Sequence, residues 1–230
     1  MRRKIPILVF AHGTDSPEKG GGSGFRNLVE QGRIRDLPYV VVGVCTPWAD
    51  GSVATIANKL HIPVHTLHKR PCAEQYAALI KMTSAAFAAT SGYLWPVLGL
   101  PTEKVFNIHP GPTPTFGGRG MYGHHVHEAV IAAYKQGEVR RSAVSMHFVP
   151  PYEKTAAGDN YDTGPIFASV EVDIKPDDTA ETLGDRVNRL EHRVQPAYTA
   201  LVAQGLIQLR DGRVWMENPE WYQGHDLPYT

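Results

Sequence analysis

The chain has 230 residues, 42% of them apolar, which is enough to build one large α/β domain with a sizeable core. Its 23 basic and 23 acidic residues leave no net charge and form no block of like sign. The balance argues against a nucleic-acid footprint or a membrane-surface patch, so substrate selection has to be local.

The chain begins Met1-Arg2-Arg3-Lys4, but the next apolar run, Ile5 to Ala11, contains Pro6 and stops at His12-Gly13. It is too short for an export signal, and no stretch approaches the roughly 18 to 20 apolar residues of a membrane span. Cys45 and Cys72 sit in unrelated contexts and read as reduced thiols, which points to the cytoplasm.

Ile7 to Ala11 reads as a buried strand that enters a glycine-rich loop. Phe25, Leu28 and Val29 then recur at helical spacing, and Tyr39 to Val44 forms a second buried strand, completing a βαβ unit. The alternation continues with a helix over Val53 to Leu60, a strand over Val64 to Leu67, a helix over Glu74 to Met82 and a strand over Ala85 to Thr90. Val105 to Ile108 is the next strand. The expected fold is Rossmann-like α/β, with a mostly parallel twisted sheet and flanking helices.

After His124 the pattern changes. A helix over His125 to Gln136 precedes strands Ala143 to Val149 and Pro165 to Val172, which can pair antiparallel across a long polar loop. A final helix starts at Asp178, with Glu181 in a capping-box position and an apolar stripe at Leu183, Val187, Leu190 and Val194. Leu206 to Leu209 and Arg213 to Trp215 flank an Asp211-Gly212 turn as a terminal hairpin. Residues 1–216 are expected to form a single domain and 217–230 a tail.

Asn107 and His109 lie two apart at a strand end and therefore point the same way, at the carboxyl edge where open α/β sheets bind ligands. Pro110, Pro112 and Pro114 stiffen the segment after His109. With Asp162, from the Asp-Thr-Gly-Pro turn, Asn107 and His109 supply an amide, an imidazole and a carboxylate. Taken alone, Asp162 is an ordinary turn residue and His109 an ordinary strand-end histidine.

The loop Gly20-Gly21-Gly22-Ser23-Gly24 precedes a helix, where free N–H groups favour a phosphate, although it lacks the Lys of a Walker loop and the dinucleotide fingerprint. His124, His125 and His127 lack a second ligand pair at metal spacing, so no metal is expected. His147 reads as a histidine that either packs in the core or supports a neighbouring site residue. Trp95, just beyond a strand, can offer an edge to a flat ring.

Asn107-Ile108-His109-Pro110, Gly120-Met121-Tyr122-Gly123, Val126-His127-Glu128-Ala129, Ser145-Met146-His147-Phe148-Val149, Asp162-Thr163-Gly164-Pro165 and Leu190-Glu191-His192 occur in one order. In that order they resemble the folate-dependent phosphoribosylglycinamide formyltransferases of purine synthesis, over about residues 5 to 215.

The resemblance implies formyl transfer from 10-formyltetrahydrofolate to the amine of phosphoribosylglycinamide. Asn107, His109 and Asp162 would be catalytic. Gly22, Ser23, Gly24 and Glu191 would hold the acceptor, and Tyr93, Leu94, Trp95, Val97, Asn107, Asn160, Tyr161 and Asp162 the folate. Monomer and homodimer both remain open.

The chain departs from the family pattern in several places. Asp15 to Lys19 is an insertion, Gly24 stands where the family usually has Asn, and Trp95-Pro96 stands where an Arg is usual at the first position. A further family Arg falls near Ala73, for which Arg70 is the candidate substitute. The Pro150 to Asn160 loop is longer than usual and is a candidate folate lid. Formyltransferases acting on methionyl-tRNA or an amino sugar share the three catalytic residues, but the tRNA enzyme carries a further barrel and a basic surface. A formyltetrahydrofolate hydrolase carries an additional amino-terminal domain, and a non-catalytic folate or nucleotide binder does not need the triad intact.

Overall fold

The computed structural model describes residues 3–67, 71–156 and 158–217. The segment containing Arg70 and the tail beyond Glu217 lie outside the described residues.

In chain order the elements are β1 (Ile5–Phe10), α1 (Ser23–Ile34), β2 (Tyr39–Thr46), α2 (Ser52–Lys59), β3 (Val64–Thr66), α3 (Ala73–Thr83), β4 (Phe87–Ser91) and β5 (Val105–His109). They continue with α4 (His124–Lys135), β6 (Arg141–Phe148), β7 (Lys154–Thr155), β8 (Gly158–Asp159), β9 (Ile166–Asp173), α5 (Ala180–Ala203), β10 (Ile207–Arg210) and β11 (Arg213–Met216). Seven strands form one sheet in the order β3-β2-β1-β4-β5-β6-β9. The first five are parallel, and β6 and β9 add antiparallel, which is the expected Rossmann-like architecture.

A parallel sheet covered on both faces demands strands apolar on both sides. β1 meets that demand: Ile7, Leu8, Val9 and Phe10 are all fully buried, with Ile7 and Val9 in one core and Leu8 and Phe10 in the other. Chain order reverses between β1 and β4, which opens the crevice at their carboxyl ends.

Helix α5 contains Pro196, which has no N–H to give to the carbonyl four residues earlier. That carbonyl, His192 O, instead accepts a hydrogen bond from Asn27 Nδ2 at 2.6 Å, tying α1 to α5. Around and beyond the proline every residue from Val194 to Ala203 is buried. No helix among the described residues is long and apolar enough to cross a membrane.

Two local expectations are corrected. The cap of α5 is Thr179, paired with Thr182, rather than Asp178 with Glu181. Asp178 is drawn away because it accepts from Lys175 N at 2.7 Å and Thr182 Oγ1 at 2.9 Å and forms an ion pair with Arg186. Within the loop expected between β6 and β9, where no element was foreseen, β7 and β8 form a small hairpin, and Asn160 joins its two ends by accepting from Glu153 N and donating to Pro151 O, both at 2.8 Å.

Candidate active site

β5 carries Asn107 and His109 to the carboxyl edge of the sheet, where the antiparallel register sets Asn107 opposite His147 and His109 opposite Ser145. Ser145 donates to Gly111 O at 2.8 Å and accepts from Thr113 N at 3.3 Å, pinning the proline-rich segment after His109. Asp162 arrives from the turn before β9 with φ +57, a left-handed conformation that Asp tolerates better than most residues. The turn depends on Gly164, where a Cβ would lie 1.8 Å from Phe148 O.

These segments converge on Asp162. Its Oδ1 accepts from Asn107 Nδ2 at 3.1 Å and stands 3.3 Å from His147 Nε2. Its Oδ2 accepts from Gly118 N at 3.0 Å and stands 3.5 Å from His109 Nδ1. The other ring nitrogen of His109 donates to Phe116 O at 2.7 Å. Asn107 Oδ1 accepts from Thr90 Oγ1, which fixes the amide with its nitrogen toward the carboxylate.

Burial lowers the His109 imidazole below its ordinary value; the charge of Asp162 and the Phe116 carbonyl pull upward without overcoming it. Asp162 thus favours the imidazolium, but burial outweighs it and tips the ring toward its neutral form. Burial pushes Asp162 up, but the His147 hydrogen bond, the His109 charge and the Gly118 N–H together hold it below the ordinary carboxylate range.

A small open cleft lies over this floor. Of the residues expected to hold folate, Tyr93, Trp95, Val97, Asn107, Asn160, Tyr161 and Asp162 line it, whereas Leu94 is 40% exposed and points elsewhere. His109 does not line it either; it backs Asp162 and is 3% exposed. Thr90, Val149 and Tyr152 line the cleft too, and sequence reasoning missed them as site residues; His147, read as a packing or supporting histidine, lines it beside Asp162. Thr90 had one signal, a hydroxyl at the carboxyl end of an apolar strand. His147 had only its register opposite Asn107.

The glycine loop ends at Gly22, which caps α1 without a side-chain hydrogen bond, so the N–H groups of the first turn at Ser23 and Gly24 are left for an anion or water. A Cβ on Gly24 would lie 2.3 Å from Ser91 Oγ and 3.3 Å from Gln195 Oε1, which accounts for the missing Asn. Ser91 follows Thr90, so the loop abuts the chain neighbour of the residue that orients Asn107. Glu191, half-buried on α5, lies one turn before Gln195 on the same face. Burial pushes its carboxyl up to about 7, against a hydrogen bond from Asn188.

His124 and His125 pair with Glu128 on the surface while His127 is buried. Among the described residues no group of three or more His, Cys, Asp or Glu is placed to hold a metal ion.

The sequence profile of the formyl transferase family matches residues 18–199. The chain belongs to that family. This formyl transferase is 32% identical over 227 residues to the chloroplastic phosphoribosylglycinamide formyltransferase of Vigna unguiculata, a match covering 92% of this chain and 64% of the relative. It thus spans just under two thirds of that protein.

Among solved structures, phosphoribosylglycinamide formyltransferase from Bacillus halodurans aligns with TM-score 0.68 at 26% identity, over 87% of this chain and 95% of that one. Glycinamide ribonucleotide transformylase 1 from Symbiobacterium toebii aligns with TM-score 0.74 at 22% identity, over 94% and 95% of the two chains, a likeness of fold alone.

Proposed function

We propose that this formyl transferase moves the formyl group of 10-formyltetrahydrofolate to the amine of phosphoribosylglycinamide in purine synthesis. The observation that carries the reading is the Asn107 amide, oriented by Thr90, beside Asp162 at the floor of an aromatic cleft. The uncapped α1 start, whose Gly24 abuts Ser91 at the carboxyl end of β4, is suited to the acceptor phosphate.

In this mechanism the neutral amine attacks the formyl carbon, and Asn107 Nδ2 donates to the oxyanion of the tetrahedral intermediate. The proton released from the amine passes by way of Asp162 and water to Nδ1 of neutral His109, which stands behind the carboxylate. The imidazolium so formed is held by Asp162 Oδ2 and the Phe116 carbonyl. It returns the proton to the folate nitrogen as the carbon–nitrogen bond to the donor breaks. Glu191 accepts from the ribose or glycine part of the acceptor.

The same reading takes residues 1–216 as one catalytic domain working in the cytoplasm, supported by the single large sheet and the two free thiols Cys45 and Cys72. The test is to supply a 10-formyl folate with phosphoribosylglycinamide, an amino-sugar nucleotide, methionyl-tRNA or water alone. Formylation of phosphoribosylglycinamide at least a hundredfold faster than the others is expected; transfer to another acceptor, or hydrolysis alone, overturns the reading.

A further inference from the structure

Two loops flank the Asp162 carboxylate. The segment after β5 gives Phe116 O to His109 Nε2 at 2.7 Å and Gly118 N to Asp162 Oδ2 at 3.0 Å. It lies close against the aspartate, since a Cβ on Gly117 would stand 2.8 Å from Asp162 Cβ. From the other side, β8 runs on through Asn160 and Tyr161 into Asp162, and Tyr152, Asn160 and Tyr161 line the cleft.

Asp159, at the end of β8, ties these loops together. Its side chain is 6% exposed; one oxygen accepts from the Tyr152 hydroxyl at 2.7 Å and the other from Arg119 Nη1 at 3.3 Å. Arg119 directly follows Gly118. The contacts therefore close a ring that runs from Asp162 Oδ2 to Gly118 N, along the chain to Arg119, across to Asp159, and along the chain back to Asp162. A carboxylate this buried is costly unless paired, which keeps both of its oxygens on their partners. The segment after β5 needs an outside tie. Gly118 has φ +99 and Gly120 φ +86, so the backbone on either side of Arg119 is conformationally permissive.

We propose that Asp159 is a positioning residue for the reaction: through Arg119 it sets where the Gly118 N–H and the Phe116 carbonyl stand against Asp162 and His109. This rests on the reading of Asp162 and His109 as catalytic. The Arg119 side chain is 77% exposed, so the ion pair adds little to global stability. Its effect is local, on one N–H against one carboxylate oxygen.

The test is amide hydrogen exchange, read residue by residue by NMR on the protein without ligands, beside steady-state formyl transfer. Arg119→Ala should speed exchange at Gly118 about three- to fivefold while the amides of β5 and β6 keep their rates. Arg119→Lys, which keeps the charge, should stay within about twofold of wild type. Tyr152→Phe cuts the other contact of Asp159, and should speed exchange within the hairpin, at Glu153 and Asn160, without moving Gly118. In Arg119→Ala kcat should fall by about the same factor as the Gly118 exchange changes, with KM for the acceptor unaltered.

Unchanged exchange at Gly118 in Arg119→Ala would overturn the proposal, as would faster exchange spread evenly over β5 and β6, which is general loosening. So would an unchanged kcat, or Tyr152→Phe moving Gly118 as far as Arg119→Ala does. Exchange is read without substrates, so failure to formylate phosphoribosylglycinamide would overturn the proposed function and leave the exchange result standing.

Discussion

Asp162→Asn is the substitution that reports most directly on the proposed proton path. The carboxylate stands 3.5 Å from His109 Nδ1. Two unit charges at that separation in a partly buried site attract by about 5 kcal/mol. An isosteric amide keeps some of that through its dipole, so we expect a loss of about 4 kcal/mol in the step that forms the imidazolium, close to a thousandfold in kcat.

The amide also cannot satisfy its neighbours. With its nitrogen at the Oδ2 position it meets the Gly118 N–H, and with its nitrogen at the Oδ1 position it meets Asn107 Nδ2, so one donor faces another either way. That conflict costs about 1 to 3 kcal/mol of stability, small enough for the fold to survive.

The assay is steady-state formyl transfer to phosphoribosylglycinamide with the donor varied, across pH 5 to 9, beside thermal unfolding of the same preparation. His109 must be neutral to accept the amine proton, so it governs the acid limb of kcat/KM. Asp162 raises its pKa, and the substitution should move that limb to lower pH while KM for the donor changes by only a few fold. A kcat within tenfold of wild type, or an acid limb displaced upward, refutes the assignment.

The same geometry makes three further predictions. Thr90→Val removes the hydroxyl that fixes the Asn107 amide, so kcat should fall about ten- to a hundredfold with KM little changed; equal loss in KM would mean that Thr90 binds substrate instead. Gly24→Asn should clash with Ser91 and Gln195 and raise KM for phosphoribosylglycinamide about tenfold or more, with partial recovery on adding Ser91→Gly; no effect would mean the loop is slack. Glu191 titrates at about 7 when folded against an ordinary 4.5, so the folded state holds the extra proton and stability falls as pH rises from 4.5 through 7. The full effect is of order 3 kcal/mol, and urea midpoints at pH 5 and 8 should converge in Glu191→Gln; an unchanged gap rejects it.

The fold was legible because its strands are either continuous apolar runs or spaced by helical stripes, and period and length decide those cases. The capping error at α5 arose where two acceptors compete for one helix start. Asp178 and Thr179 are both good caps by type, and only the position of Arg186 on the next turns shows that the carboxylate is engaged elsewhere.

The site divided in the same way. Asn107 and His109 share a strand, so period 2 places them together, and Asp162 could be joined to them only by resemblance, since 53 residues of chain separate it from His109. The roles of Thr90, His147 and the Gly118 N–H are invisible in sequence because each is fixed by register or by a turn that brings a backbone group to a carboxylate. Gly24 makes the point most sharply. In sequence it is a lost contact, whereas in three dimensions the space is already filled by Ser91 and Gln195. Ser91 donates to Gln195 at 3.4 Å while its chain neighbour Thr90 holds the catalytic amide, so consecutive residues of β4 serve the loop on one face and Asn107 on the other. A bulkier side chain at position 24 therefore meets the face of β4 turned away from the amide, which is why Gly24→Asn should raise KM for the acceptor far more than it lowers kcat.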